Sequence, residues 1–178
     1  ARLFAIKGFS ATRVHQITST AGVNKAMLYY YFDSKENLFE VLIDEGVSIM
    51  ETAVEKAEDI SGPLCERLDC FLREYLSSVS RRPDLARIIF REAFGKIDNA
   101  TPRVARHFRD SVRRLAAIFD EAAERGEIRP GLDTTYTAYS VFGMANMFIS
   151  RLVVTQEEME ASAVAVHILD LFLNGAAP

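Results

Sequence analysis

Apolar residues recur along this chain at spacings of three and four, which is the period of amphipathic α-helices. The apolar stripe is widest in the segment that follows Pro63, where it consists of Leu64, Leu68, Phe71, Leu72, Tyr75, Leu76 and Val79. Strand-like alternation is scarce, and glycine and proline stand between the helical segments. The pattern therefore predicts an all-α protein of about nine helices.

Polar residues at the segment boundaries indicate where helices begin, because a side-chain oxygen can accept hydrogen bonds from the free N–H groups of a first turn. The expected caps are Thr12 for a helix over 13–19, Asn24 for 25–30, Ser34 for 35–59, Asp133 for 134–154, and Thr155 with Glu158 as a capping box for a last helix that ends at Gly175. The long helix over 35–59 joins a small front unit, residues 1–45, to a larger unit, residues 46–178.

Composition narrows the class of protein. The chain has 178 residues, of which 49% are hydrophobic and 26% charged, enough for a buried core and too apolar for wholesale disorder. No uninterrupted apolar run reaches the length of a membrane span, and the first residues do not form a secretory signal, so we expect a cytoplasmic protein without a membrane partner. Cys65 and Cys70 lack the spacing of a redox or zinc pair, and the three histidines lack metal-ligand spacing. We therefore expect neither a metal nor a cofactor.

Charged residues are unevenly distributed along the chain. Residues 1–35 contain five basic residues and one acidic residue, a net charge of +4, whereas the remainder carries −8. A positive front unit joined to an acidic body indicates that only the front unit meets a polyanion.

Residues 13–32 carry the candidate chemistry. Two short helices joined by a turn at Gly22 have the proportions of a helix-turn-helix, whose small core would consist of Val14, Ile17, Ala21, Val23, Leu28 and Phe32. The second helix would then present its other face to the major groove, amino end first. Lys25 suits a guanine edge or a phosphate, Met27 a thymine methyl group, and the tyrosine hydroxyls suit phosphate oxygens.

Other functions share this pattern. A turn between two short helices also occurs in proteins that do not bind DNA, so the chain could instead be an all-helical enzyme or small-molecule carrier with a helix-turn-helix as scaffold. The sequence contains no nucleophile elbow, phosphate-binding loop or HExxH motif, so we expect no enzymatic activity. An activator would share the same front unit and differ only in its output.

The segment FAIKGFSATRVHQITSTAGVNKAMLYYYFDSKENLFEVL, residues 4–42, resembles the N-terminal signature of the TetR family of bacterial transcription regulators. The resemblance rests on GF-x-AT, V-x-x-I, AGV, LYYYF and SKE-x-LF in that order. It implies a three-helix DNA-binding head, a long fourth helix as connector, and a helical body that binds an effector. It also implies a homodimer formed through the last two helices of each subunit.

The family's DNA contacts transfer to matching positions in this sequence. By resemblance, operator DNA would be contacted by Arg13, His15, Lys25, Ala26, Met27, Tyr29, Tyr31 and Lys35. The function implied is a ligand-responsive repressor, released from a palindromic operator by a small apolar or amphipathic effector that moves the fourth helix.

The body offers two further candidate sites. Large aromatic residues in the middle helices either fill the core or line an apolar effector pocket, and they are Phe71, Tyr75, Phe90, Phe94, Phe108 and Phe119. The helix after Asp133 has no charged residue from Thr134 to Ser150, which indicates burial nearly all round, either inside a monomeric bundle or against a second subunit. The candidate dimer contacts on this helix and the next are Gly143, Met144, Met147, Val164, His167, Ile168 and Leu171.

Overall fold

A computed structural model describes residues 1–94 and 102–176, and within these ranges the chain forms nine α-helices and no strand. The helices are α1 (Arg2–Lys7), α2 (Val14–Ala21), α3 (Lys25–Tyr31), α4 (Lys35–Glu58), α5 (Leu64–Arg81), α6 (Pro83–Phe94), α7 (Pro102–Glu124), α8 (Thr134–Thr155) and α9 (Ala161–Ala176). The predicted all-α class is confirmed. Helices α1 to α3 form the head, and α5 to α9 surround the distal part of α4 to form the body.

Three of the predicted helix caps are confirmed. The side chain of Asn24 accepts a hydrogen bond from the N–H of Met27 at 2.7 Å, which starts α3. Ser34 caps α4 at 3.0 Å in the same way, and Asp133 caps α8 at 2.8 Å. Each cap satisfies a donor that has no partner inside its own helix, so the sequence itself determines where these three helices begin.

The predicted cap at Thr12 is wrong. Thr12 is fully buried, and its hydroxyl donates to the carbonyl of Gly8 at 2.7 Å, so it closes the chain after α1 and does not cap α2. The residue that precedes α2 is Arg13, whose N–H donates to the side-chain oxygen of Gln16 at 3.1 Å.

The predicted start of the last helix is also wrong. Thr155 lies inside α8, and α9 begins only at Ala161. Glu160, not Glu158, supplies the first-turn acceptor, because its carboxylate accepts from the N–H of Ala163 at 2.7 Å. Gly175 lies within α9, which extends to Ala176.

Two buried apolar clusters share α4. The front cluster joins the head to α4, α6 and α7, and it consists of Phe4, Ala5, Leu42, Ile43, Val47, Leu85, Ile88 and Val104. The body cluster takes over from Met50 onward and draws on α4, α5, α7, α8 and α9. Since α4, α6 and α7 each contribute buried residues to both clusters, three helices join the two units mechanically.

Two ion pairs and one histidine–carboxylate hydrogen bond join α4 to α7 along one side of the body. The pairs, from the head outward, are Asp44 with Arg103 at 2.7 Å, Glu51 with His107 at 2.5 Å, and Glu58 with Arg114. Arg67 of α5 is buried, and it donates to the carbonyl of Ala57 at 3.0 Å and to Glu121 at 2.6 Å, which fixes the distal end of α4. These contacts hold the distal end of α4, while its proximal end stands against the head.

By length and composition alone, α8 is apolar enough to cross a membrane, with a mean hydropathy of 1.2 over 18 residues. Its buried residues Ala138, Val141, Phe142, Ala145 and Ile149 pack into the body cluster. The opposite side, with Tyr136, Tyr139 and Met147, is exposed in the single subunit. Of the two predicted alternatives, burial inside a monomeric bundle is therefore wrong, and burial against a second subunit stays a prediction.

Candidate functional site

The exposed side of α3 carries the predicted nucleic-acid contacts. Leu28 points into the head and is 5% exposed, whereas Met27, Tyr29, Tyr30 and Tyr31 are between 43% and 82% exposed. Lys25 and Ala26 at the start of α3 are exposed as well. Leu28 is therefore the buried residue of this helix, and the other side chains are exposed, although Met27 and Tyr31 also line the apolar cleft beside α1 and α2.

The start of α2 lies on the same head. Arg13 and His15 are exposed there, as predicted from the resemblance. Arg13 and Lys25 form no ion pair with the described residues, so both cations are available to an anionic partner. Together with the hydroxyls of Tyr29 and Tyr31, they form a surface of donors that suits a phosphate backbone.

Lys35 has a structural role inside the head. Its ammonium group donates to the backbone carbonyls of Phe9 and Thr12, each at 3.1 Å, and lies 4.0 Å from the centre of the Phe9 ring. These contacts join the start of α4 to the chain after α1. Lys35 is half-buried and two of its three donors are used in this way, so its contact with DNA stays a prediction.

The predicted core of the helix-turn-helix is looser than expected. Leu28 is buried, Val14, Ile17, Val23 and Phe32 are half-buried, and Ala21 is exposed. An apolar cleft of about 400 Å³ lies between the start of α1 and helices α2 and α3. Ala21 therefore lines an open cleft, and its assignment to the core is wrong.

An apolar cavity of about 250 Å³ lies in the body where α4, α5, α6, α7 and α8 meet. Its lining is Gly46, Val47, Ile49, Met50, Tyr75, Val79, Ala86, Ile89, Phe90, Ala93, Val104, Ala105, Phe108, Asn146 and Ile149. The polar side chains in this lining are Tyr75 and Asn146, and the Tyr75 hydroxyl donates to Asn146 Oδ1 at 2.9 Å. Burial raises the pKa of Tyr75 well above its usual range, so this pair is neutral. The cavity therefore suits an apolar group that carries one uncharged hydrogen-bonding function.

Three of the six predicted pocket aromatics line the cavity, namely Tyr75, Phe90 and Phe108. Phe71 and Phe119 are fully buried in the body cluster, with ring centres 5.8 Å from Tyr75 and 5.4 Å from Phe172 respectively, so their assignment to the pocket is wrong. The side chain of Phe94, the sixth, lies outside the described residues.

Sequence reasoning identified three of the fifteen lining residues, and two of those that it missed shape the cavity. Asn146 is the polar partner of Tyr75, and an amide within the uncharged run of α8 was the available signal. Gly46 lies in the middle of α4, where glycine disfavours a helix, and a Cβ atom there would stand 2.6 Å from Ile89 Cγ1. Glycine at this position permits α4 and α6 to approach closely at the cavity wall.

The predicted dimer contacts divide into exposed and buried residues. Gly143, Met147, His167 and Leu171 are exposed on α8 and α9. Met144 and Val164 are half-buried and pack against the body cluster. Ile168 is 1% exposed inside the subunit, so its assignment to an interface is wrong. Exposed apolar residues that the prediction omitted are Tyr139, Val154 and Val166.

Comparison with known proteins identifies the family. Residues 1–42 match the family described as bacterial regulatory proteins, tetR family, and residues 61–176 match the tetracyclin repressor-like C-terminal domain. The head and most of the body are thus each covered by a family description. Both descriptions are of regulators, and neither indicates a catalytic family.

Individual relatives agree with this assignment. The fatty acid metabolism regulator protein of Bacillus subtilis is 21% identical over 173 residues, which cover 97% of this chain and 89% of that protein. The structure of FadR from Bacillus subtilis in complex with stearoyl-CoA matches with a TM-score of 0.75 at 22% identity, covering 97% of this chain and 92% of that one. The structure of AibR in complex with isovaleryl coenzyme A and operator DNA matches with a TM-score of 0.71 at 22% identity, covering 96% and 91%.

A helix-turn-helix head on a helical body with an internal cavity defines the class of one-component DNA-binding regulators. The chain belongs to the TetR family of bacterial regulatory proteins, so it is a transcriptional regulator. The resemblance seen in residues 4–42 is confirmed.

Proposed function

We propose that the protein acts as a homodimer in the cytoplasm, where its two heads bind a palindromic operator and an amphipathic effector in the body cavity releases them. The observation that carries the proposal is the outward face of α3, on which a single buried residue, Leu28, leaves the rest of the helix accessible. We assign DNA binding to residues 1–45, and effector binding and dimerisation to residues 46–178.

On the operator, α3 enters the major groove with its amino end first. Lys25, Ala26 and Met27 then face base edges, because they occupy the first turn of α3. Tyr29 and Tyr31 at the other end lie where their hydroxyls reach the phosphate backbone. The exposed Arg13 and His15 at the start of α2 supply further contacts. The proposed DNA contacts are Arg13, His15, Lys25, Ala26, Met27, Tyr29 and Tyr31.

Dimerisation is supported by the exposed apolar sides of α8 and α9. Tyr139, Gly143 and Met147 follow one another at four-residue spacing on α8, and Met147 is 70% exposed. His167 and Leu171 continue the surface on α9. A second copy related by twofold symmetry would cover both helices at once and would place two heads about 34–36 Å apart, one turn of DNA.

The effector class follows from the cavity and the relatives. The cavity lining is apolar apart from the neutral Tyr75–Asn146 pair, so it accommodates an acyl chain and one carbonyl better than a charged group. FadR was solved with stearoyl-CoA and AibR with isovaleryl coenzyme A. We therefore propose an acyl thioester of coenzyme A as the effector, with its acyl part in the cavity.

Release from the operator would depend on the helices that contact both units. An acyl chain in the cavity contacts α4 at Val47 and α6 at Ile89, and both helices continue into the front cluster. Affinity for the operator falls only if the effector binds more tightly when the heads are displaced than when they sit on DNA.

Operator binding is tested with duplexes selected from a random double-stranded library by the purified protein, followed by fluorescence anisotropy at several salt concentrations. Loss of one base contact costs about 1–3 kcal/mol, so Lys25→Ala should weaken binding by roughly 5- to 150-fold. Arg129→Ala is the matched control, because it removes one exposed cation from the connection between α7 and α8, outside the head. Equal affinities of the Lys25 and Arg129 variants would contradict the assignment of α3.

A further inference from the structure

A second cleft, of about 540 Å³, lies where the body meets the head. One wall is α1, through Ala5 and Ile6, and the other is the C-terminal end of α8. Between them α6 contributes Arg87, Phe90 and Arg91. The cleft therefore adjoins a helix of the head, a helix shared by both units and a helix of the body.

The charge of this cleft is positive. Arg87 and Arg91 stand one helical turn apart, so both guanidinium groups face the same space. No carboxylate is among the described residues that line the cleft. The acid that pairs with Arg87 is Asp84, at a distance of 4.0 Å, and Arg91 forms no ion pair with the described residues. The planar guanidinium group of an arginine can donate two parallel hydrogen bonds to the oxygens of a tetrahedral phosphate group, so two neighbouring arginines suit a phosphate-bearing ligand.

Phe90 lies between this cleft and the body cavity, because it lines both. The cavity contains no charged side chain in its lining, so an anionic group cannot be accommodated there without loss of solvation. A molecule whose apolar chain fills the cavity and passes Phe90 would leave its charged end beside the two arginines.

We propose that Arg87 and Arg91 bind the phosphate groups of an amphipathic effector whose acyl chain occupies the cavity, an inference that rests on the proposed function and adds a head-group site to it. This site sets specificity, because an acyl thioester that carries phosphates gains two cationic contacts that a phosphate-free thioester of the same chain does not. The two-arginine site also adjoins the DNA-binding head at the end of α1. A Cβ atom at Gly8 would stand 2.6 Å from the nearest Arg91 guanidinium nitrogen. A phosphate held by Arg91 is thus placed at the end of α1.

The test uses the full chain and isothermal titration calorimetry with two matched probes. A series of acyl-CoA thioesters from isovaleryl to stearoyl first identifies the chain that binds best. The N-acetylcysteamine thioester of the same acyl group then serves as the second probe, because it keeps the thioester and lacks the phosphates. Hydrogen bonds to a charged group contribute about 1.5–3 kcal/mol, so Arg87→Ala/Arg91→Ala should raise the Kd for acyl-CoA by roughly 10-fold or more.

The same double variant should bind the N-acetylcysteamine thioester as the unaltered protein does, which also shows that it is folded. Arg106→Ala, an exposed arginine of α7 outside the cleft, should change neither Kd. Unchanged acyl-CoA affinity in the double variant would overturn the head-group site, as would equal losses for both probes in each single variant. If the unaltered protein binds both probes equally well, the head-group site fails and the cavity assignment stands. If it binds neither probe, the proposed effector class fails as well.

Discussion

The contact between Gly46 of α4 and Ile89 of α6 makes a quantitative prediction about the cavity wall. A Cβ atom at Gly46 would lie 2.6 Å from Ile89 Cγ1 and 2.8 Å from Ile89 Cδ1, both well inside normal contact. Glycine in a helix interior is about 1 kcal/mol less favourable than alanine. That loss is offset here because only glycine lets the two helices approach this closely without displacement.

Substituting Gly46→Ala combines two opposing effects. Helix propensity stabilises the variant by about 1 kcal/mol, whereas overpacking destabilises it by about 1–3 kcal/mol. The net result is a loss of roughly 0–2 kcal/mol. In an Ile89→Ala background both clashing atoms are gone, and the next neighbour of the new Cβ is the carbonyl oxygen of Leu85 at an ordinary 3.8 Å. There the same substitution should stabilise the protein by about 1 kcal/mol.

The assay is a double-mutant cycle of four proteins at one fixed concentration, followed by urea denaturation and thermal unfolding. The effect of Gly46→Ala in the two backgrounds should differ by about 1–3 kcal/mol, and each kcal/mol corresponds to about 2–4 °C in a chain of this size. The reasoning would be refuted if Gly46→Ala stabilised the unaltered protein as much as it stabilises the Ile89→Ala background. Equal effects would mean that the helices do not meet at this glycine.

Three further substitutions test other contacts. Lys35→Met removes both hydrogen bonds to the chain after α1 and the contact with the Phe9 ring, so urea denaturation should show a loss of about 1–3 kcal/mol. Glu127 accepts a hydrogen bond from the N–H of Leu64, which lowers the pKa of Glu127, so its stabilising effect is present at neutral pH and is lost as the pH falls through that lowered value. Glu127→Gln should consequently show a smaller fall in unfolding free energy than the unaltered protein between about pH 5 and pH 3. Met147→Glu should shift analytical ultracentrifugation profiles from dimer to monomer, and an unchanged dimer would exclude this part of α8 from the interface.

Local signals in the sequence predicted a helix start correctly where the side chain of the capping residue accepts a hydrogen bond from the first turn of the helix that follows it. Asn24, Ser34 and Asp133 each bond to an N–H three residues ahead, and such a bond depends on little beyond the local chain. Thr12 and Thr155 have the same side-chain chemistry and are not caps. The hydroxyl of Thr12 donates to the carbonyl of Gly8, and Thr155 is the last residue of α8, while α9 begins only at Ala161.

The lining of the cavity was predicted only in part, because helical periodicity identifies an apolar face and does not show what packs against it. Periodicity identified the apolar face of α5, and both Phe71 and Tyr75 lie on it, one turn apart. It gives no information about which neighbouring helix covers each turn. Phe71 meets Phe142 edge-on and is sealed, whereas Tyr75 reaches Asn146 beside the space left near Gly46. The difference arises from packing between distant segments, which a single sequence does not encode in any local pattern.

In the proposed function, helix α6 couples a ligand in the body directly to the head, because it contacts both units. One side of α6, with Leu85 and Ile88, packs against Phe4 of α1 in the front cluster, and the adjoining side, with Ile89, forms the cavity wall. Because a packed interior does not deform continuously, displacement of α6 by an acyl chain must be accommodated where α6 meets α1 as well as where it meets α4. Because α4 and α6 both pack against the head, the expected response is a rigid rotation of the whole head. Helices α2 and α3 would then keep their positions relative to each other. Operator affinity would then fall through the spacing of the two heads, while the contacts of each recognition helix stay intact.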